Sequence, residues 1–147
     1  MQKRLYVLAS LFTVSAFIFL STAFSNDKII DVQYSQLTKE AKKQVDCLAE
    51  NIYHEAGYEP EKGRVAVALV TMNRVQDPRF PKDICSVVKQ RVNYTCQFSW
   101  FCDASKRISN SHAYRESQKA ALFVYANYDK IKELNIIIFK FQQTPKK

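Results

Sequence analysis

The chain has 147 residues, of which 47% are hydrophobic and 13% aromatic, and this suffices for one compact domain but not for two. Its formal net charge of +8 makes nucleic acid, anionic lipid and anionic wall polymers all electrostatically acceptable partners. Only two glycines occur, Gly57 and Gly63, which excludes the glycine-rich loops that bind nucleotides.

The first 25 residues are predicted to be a signal peptide. A basic pair precedes an apolar run over residues 5–20, and Ala23 and Ser25 fit a small-x-small cleavage site. A retained membrane anchor is the alternative, because residues 5–24 approach the roughly 20 residues that span a bilayer. We favour the signal peptide because polar residues dilute the run. We therefore expect a secreted or periplasmic protein that contacts the membrane only through an uncleaved N-terminus.

The rest of the chain divides into a polar lead-in over residues 26–37 and one domain over residues 38–147. We expect this domain to be monomeric. Its basic surface favours anionic partners, and export argues against nucleic acid as one of them.

The domain is predicted to be mainly α with a minor β element. The predicted helices are, in chain order, residues 38–56, 61–75, 83–90 and 112–128. Gly57 is expected to end the first helix in a left-handed conformation, and Ser111 is expected to cap the fourth. The second helix is apolar on every side, which predicts a place at the centre of the core. Residues 92–105 are predicted to be irregular or a short hairpin, and the β-branched residues 135–141 a strand.

All four cysteines follow the predicted export signal, where an oxidising compartment favours two disulfides. Three pairings are possible. We favour a short loop closed by Cys96 and Cys102, with Cys47 and Cys85 joining two helices. A zinc site is the rival interpretation, but the chain has no CxxC pair and only two histidines, so we expect neither a metal nor another cofactor.

Glu55 is the unusual residue of the first helix. At about 100° per residue it lies about 20° from Leu48, at the edge of the apolar stripe that faces the core. It is either a surface glutamate on a frayed last turn or a partly desolvated acid, whose pKa is raised because low dielectric disfavours the charged form. His54 lies on the solvent side of this helix. Glu59 either approaches Glu55 or is an ordinary turn residue.

A second segment of interest is CQFSWFCD at residues 96–103. Aromatic faces stack on the apolar faces of sugar rings, and neighbouring polar groups bond hydroxyls or an N-acetyl group. The candidate sugar-binding residues in this segment are Gln97, Phe98, Ser99 and Trp100. A small disulfide-closed loop with its rings in the core is the alternative. Asn73 and Arg74 close the second helix as caps or as groove residues, and we favour a structural role for Arg74.

Four segments carry a resemblance in their order and spacing: residues 47–59 (CLAENIYHEAGYE), 63–75 (GRVAVALVTMNRV), 79–88 (RFPKDICSVV) and 96–103 (CQFSWFCD). Together they resemble the SleB-type cell wall hydrolases, the spore-cortex-lytic enzyme family. The resemblance covers about residues 45–103, with a weaker likeness to about residue 128. It implies a lysozyme-like domain that acts on peptidoglycan, with Glu55 as the catalytic acid.

The resemblance also implies lytic transglycosylase chemistry on the MurNAc-GlcNAc backbone. One carboxylate acts first as acid and then as base, while the muramic acid hydroxyl closes a 1,6-anhydro ring. The chain departs from the family at Gly57 and Tyr58, which stand where an arginine usually follows the Glu-Ala pair. Residues 134–147 also lack the usual Tyr-His segment and Pro-Trp close, so we expect an incomplete C-terminal end.

Two other functions are consistent with parts of this pattern. A peptidoglycan-binding module or inhibitor would keep the groove and lose turnover along with the C-terminal segment. An amidase or peptidase acting on the stem peptide is disfavoured, because the chain lacks the metal ligands such enzymes use.

Sequencing of the exported protein is expected to find Asn26 at its N-terminus, because cleavage is predicted after Ser25. An intact Met1 would instead indicate that the segment is retained as a membrane anchor.

Overall fold

The computed structural model describes residues 29–142, with side chains described as far as Leu134. The predicted signal peptide lies outside this part. A 3-10 turn at Tyr34–Gln36 precedes the main elements. In chain order these are α1 (Lys39–Ala56), α2 (Glu61–Gln76), α3 (Ile84–Val88), β1 (Arg91–Val92), β2 (Thr95–Cys96), α4 (Ser99–Cys102) and α5 (Ser111–Gln142). The predicted mainly α class with a minor β element is confirmed.

The centre of the core is α1. Thr38 caps the helix by accepting a hydrogen bond from the backbone N–H of Ala41 at 3.2 Å. The apolar stripe predicted for this helix is buried against α5, α2 and α3, and it comprises Val45, Leu48, Ala49, Ile52 and Ala56. The expectation that the second helix occupies the centre is wrong, because Ala68 and Met72 are its only buried apolar residues.

The uniform apolarity of α2 comes from two opposite faces. Ala68 is fully buried in the core, whereas Val70, about 200° away around the helix, is 49% exposed. The second apolar face lines the groove described below.

Two disulfides hold the short elements in place. Cys47–Cys85 joins α1 to α3, and Cys96–Cys102 links β2 to the end of α4. These are the two pairs favoured from the sequence. Gln44 reinforces the first, because its Oε1 accepts from the backbone N–H of Ile84 at 2.8 Å.

The hairpin alternative for the region after α3 is confirmed by β1 and β2, which pair antiparallel. Its two turn residues, Asn93 and Tyr94, have φ of 48° and 66°. Two consecutive left-handed residues are what a tight two-residue hairpin turn requires.

Gly57 ends α1, but the predicted left-handed conformation is wrong, because its φ and ψ are −59° and −28°. Space explains the glycine instead. A Cβ at this position would lie 2.4 Å from the carbonyl oxygen of Tyr53.

Both ends of α5 differ from expectation. Asn110, not Ser111, caps the helix, since its Oδ1 accepts from the backbone N–H of His112 and of Ala113 at 3.0 Å. The helix continues to Gln142, so the strand predicted over residues 135–141 is wrong. A lone strand would leave its backbone groups unpaired, whereas a continuing helix pairs them internally.

Residues 29–37 of the predicted lead-in are bound to the domain. Asn127 accepts from the backbone N–H of Ile30 at 2.7 Å and donates to its carbonyl at 2.9 Å. The hydroxyl of Tyr34 donates to the Asp46 carboxylate at 2.7 Å, which raises the pKa of Tyr34 to about 12. Among the helices of residues 29–142, none has the length and apolarity that crossing a membrane requires.

One buried polar network connects three helices. Asn51 is fully buried in α1; its Nδ2 donates to Thr71 Oγ1 in α2 at 3.1 Å, and its Oδ1 accepts from Trp100 Nε1 in α4 at 2.9 Å. Thr71 in turn donates to the carbonyl of Val67 at 3.1 Å.

Replacement of Asn51 by leucine is expected to lower the free energy of unfolding by about 1–3 kcal/mol, the cost of one buried polar group without a partner. The substitution leaves the Trp100 N–H without an acceptor, whereas the Thr71 hydroxyl keeps its hydrogen bond to the Val67 carbonyl. Urea denaturation followed by the fluorescence of the single tryptophan measures the change. The exposed Gln76→Ala is the control, and a loss below about 0.5 kcal/mol, the range of ordinary surface substitutions, would contradict the importance of the network.

Candidate active site

An open groove passes the C-terminal end of α1, and two of its cavities meet at Glu55 and Ser99. The apolar cavity, of about 490 Å³, is lined by Glu55, Ala66, Val67, Val70, Arg74, Cys96, Gln97, Phe98 and Ser99. The central cavity, of about 530 Å³, is lined by Tyr53, His54, Glu55, Ala56, Gly57, Tyr58, Glu59, Ser99, Trp100, Lys106, Arg107 and Ser109. A carboxylate therefore lies at the junction of two spaces of the size that ligand sites have.

The two walls beside Glu55 differ in chemistry. The outer face of α2 contributes Ala66, Val67 and Val70, which are apolar. The disulfide-closed loop opposite contributes the exposed polar residues Gln97 and Ser99. A ligand in this cavity meets a hydrophobic surface on one side and hydrogen-bonding groups on the other.

Glu55 itself is exposed, so of the two alternatives its side chain has the surface position and not the partly desolvated one. The last turn of α1 projects it past the core stripe, into the groove. Within the described residues no lysine or arginine forms an ion pair with its carboxylate.

Phe98 and Trp100 each line one of the two cavities, but they are 8% and 7% exposed, so little of either ring is open to a sugar. The guanidinium of Arg74 lies over the Phe98 ring at 5.0 Å, and the ring of His54 stacks on Trp100 at 4.4 Å. The alternative interpretation of this loop, with its aromatic rings in the core, describes both residues. Their buried rings support the loop that carries Gln97 and Ser99.

His54 is half-buried against Trp100, and the predicted solvent-facing position is therefore wrong. Burial lowers the pKa of His54 below its ordinary value of 6.5, because the charged imidazolium is disfavoured there. The His54 ring, which precedes Glu55 in the chain, therefore packs on Trp100 as a neutral aromatic group.

Of the other predicted site residues, Glu59 lies in the groove and Asn73 does not. Glu59 is exposed and lines the central cavity together with Glu55. Asn73 lines neither cavity; its Oδ1 accepts from the hydroxyl of Tyr128 at 2.7 Å, so it links α2 to α5. The structural alternative for Asn73 is therefore the one that the contacts support.

Arg74 combines both of the roles considered for it. Its guanidinium lies between the rings of Phe80 and Phe98, at 5.5 Å and 5.0 Å, and its Nη1 is buried without a hydrogen-bond partner. The same side chain lines the apolar cavity. It supports the loop and borders the groove.

The basic wall of the central cavity was not predicted from the sequence. Lys106 and Arg107 lie on an irregular loop that carries no periodic signal. Tyr53 holds this loop, because its hydroxyl accepts from the backbone N–H of Ser109 at 3.0 Å and of Asn110 at 3.1 Å. The pKa of Tyr53 is lowered by the hydrogen bond between its hydroxyl and the Ser109 side chain and further by these two backbone hydrogen bonds.

The fold and the groove thus define a small, disulfide-linked helical domain with a carboxylate in an open groove that forms no ion pair within the described part of the chain. Residues 58–144, more than half of the chain, match the family model of the Cell Wall Hydrolases, and the chain belongs to that family. With the helical architecture, this confirms the predicted mainly α, lysozyme-like domain. The match extends well beyond residue 103, whereas Glu55 lies just before its first residue.

Two curated proteins are similar to part of the chain. The spore cortex-lytic enzyme of Bacillus subtilis (strain 168) is 37% identical over 51 residues, which are 35% of this chain and 17% of that protein. The enzyme of the same name from Halalkalibacterium halodurans is also 37% identical over 51 residues, 16% of its length. The matched part thus covers less than a fifth of either relative. No solved structure matches the chain.

The fluorescence of Trp100 is expected to change with pH, because protonation of His54 places a charge against the indole ring. The midpoint should lie below 6.5, because burial lowers the pKa of His54. A pH titration of the emission measures this. His54→Gln should abolish the transition, and His112→Gln, at an exposed position, should leave it. A transition that survives in His54→Gln would show that another group causes it.

Proposed function

We propose that this protein cleaves the MurNAc-GlcNAc backbone of peptidoglycan, with Glu55 as the catalytic acid. The observation that carries the proposal is the position of Glu55, an unpaired carboxylate at the junction of two cavities in a groove open to a polymer. Membership in the Cell Wall Hydrolase family supports the substrate class.

The proposed reaction is of the lytic transglycosylase type. Glu55 donates its proton to the glycosidic oxygen as the bond to the muramic acid C1 breaks. The C6 hydroxyl of the same sugar then attacks C1, and the Glu55 carboxylate accepts the hydroxyl proton, which leaves a 1,6-anhydro ring. Because the same group serves as acid and as base, a second carboxylate is not needed.

A bound glycan strand would change the surroundings of Glu55. The strand would bring the apolar wall of Ala66, Val67 and Val70 and the sugar rings around the carboxyl group, which excludes water. Exclusion of water strengthens the electrostatic interactions between this group and the reacting sugar. Gln97 and Ser99 are proposed to bond sugar hydroxyls or the N-acetyl group, and Glu59 to orient the sugar in the central cavity.

The disulfides support action outside the cytoplasm, where peptidoglycan lies. Cys47–Cys85 and Cys96–Cys102 require the oxidising conditions typical of exported proteins. This agrees with the predicted export signal over residues 1–25. Lys106 and Arg107 add positive charge to the groove, which favours association with an anionic wall.

Glu55→Gln is expected to keep the fold and wall binding and to lower the turnover of purified peptidoglycan by about 10²- to 10⁴-fold, the contribution of a positioned acid-base group. Release of soluble muropeptides, analysed by mass spectrometry, measures the loss. Glu50→Gln, one turn earlier on α1, is the control and should retain activity. More than about a tenth of wild-type activity in Glu55→Gln would refute the assignment.

The products distinguish the mechanisms. Ends with 1,6-anhydro rings support the single-carboxylate route, whereas reducing ends require a second group, for which Glu59 or Asp103 is the candidate. Pull-down of peptidoglycan without release of fragments would instead support a binding module or inhibitor, and chelator-sensitive release of free peptides an amidase or peptidase.

A further inference from the structure

The groove continues beyond the central cavity. A third, outer cavity of about 460 Å³ lies beside it, and Gly57 and Tyr58 line both. Tyr58 thus occupies the junction of the central and outer cavities, as Glu55 does that of the apolar and central cavities. Three cavities in a row, each sharing residues with the next, form a groove suited to an extended polymer.

Tyr58 presents an open aromatic face in this groove. Its side chain is 78% exposed, whereas the other tyrosine, phenylalanine and tryptophan residues that line the three cavities are buried. Those residues are Tyr53, Phe98 and Trp100. Since Phe98 and Trp100 are covered, the aromatic surface available for stacking on a sugar ring is that of Tyr58.

The backbone on both sides of Tyr58 is hydrogen-bonded. The N–H of Gly57 donates to the carbonyl of Tyr53, and the N–H of Glu59 donates to that of Ala56, each at 3.0 Å. The carbonyl of Glu59 accepts in turn from the Arg64 guanidinium. Because this turn is held by hydrogen bonds on both sides, it keeps the exposed Tyr58 ring in the groove.

The outer cavity offers hydrogen-bonding groups of both kinds. Arg64 supplies donors, and Glu116, whose carboxylate pairs with Lys119 at 2.8 Å, supplies acceptors. His112 lies beside them. Mixed donors and acceptors next to an aromatic face suit a polyhydroxylated ring.

We infer that the outer cavity is a saccharide-binding site, and that Tyr58 stacks on the sugar that bridges it to the central cavity. The inference rests on the proposed function for the identity of the polymer. It adds a binding site for a further sugar of the strand, separated from Glu55 by the central cavity, and makes Tyr58 a substrate-positioning residue.

The test measures the affinity of soluble peptidoglycan glycan oligomers for Glu55→Gln protein, which prevents turnover. Tyr58→Ala in this background is expected to weaken binding of four disaccharide repeats about 2- to 12-fold, the range that corresponds to one aromatic contact. Binding of a single repeat should weaken less, because it does not need the outer cavity. Tyr58→Phe should bind normally, since it retains the ring.

Tyr94→Ala is the matched control, because Tyr94 is fully exposed and lines none of the three cavities. Equal affinities of the Tyr58→Ala and Tyr94→Ala proteins for the long oligomer would overturn the inference, as would an equal loss for short and long oligomers. Thermal unfolding should be unchanged in both. If the wild type released no soluble fragments but Tyr58→Ala still weakened glycan binding, the catalytic proposal would fail while the binding site stood.

Discussion

The hydrogen bonds of Asn51 are the constraint on which the groove depends. Asn51 lies one helical turn before Glu55 and joins α1 to Thr71 of α2 and to Trp100 of α4. Helix α1 carries Glu55 and forms the floor of the groove, and α2 and α4 contribute to the two walls beside it. Because the three partners are buried and complete one another's hydrogen bonds, the relative positions of floor and walls are set by a network that tolerates little displacement.

The loops that line the groove are held by a disulfide and by contacts that could not be predicted from the sequence. The Cys96–Cys102 disulfide closes the loop of Gln97 and Ser99, and Arg74 supports it from below through the Phe98 ring. On the other side, Tyr53 fixes the basic loop through two backbone hydrogen bonds. The glutamate that we propose as the catalytic acid therefore lies between supported walls, although its own side chain is exposed.

Local features of the sequence predicted the scaffold well. The α1 stripe, the end of α2 and the hairpin follow from periodicity and turn chemistry, and the spacing of the cysteines favoured both disulfides that form. Gly57 was misjudged because its backbone is right-handed and the glycine is needed for the space beside the carbonyl of Tyr53, four residues earlier on the same helix. The strand predicted over residues 135–141 relied on β-branched content, which loses its weight where no neighbouring strand is available.

The site was harder to predict, because composition does not reveal which side of a ring or helix stays open. Phe98 and Trp100 had the right chemistry for sugar stacking, but Arg74 and His54 cover them. Glu55 was placed correctly on the helix, but the angle from Leu48 did not show that α1 ends at the groove. Only the contacts of neighbouring elements decide these questions.

Helix α2 has an apolar face that lies outside the core and borders the groove. A helix that is apolar all round is expected in the interior, yet Val70 is 49% exposed and Ala66 is exposed as well. Exposed apolar surface has a cost in water, and here it borders the carboxylate in the middle of the groove. Covering that surface with the apolar face of a sugar recovers part of this cost and removes water from Glu55 in the same event. In the proposed mechanism, the second face of α2 would thus couple glycan binding to the exclusion of water from Glu55.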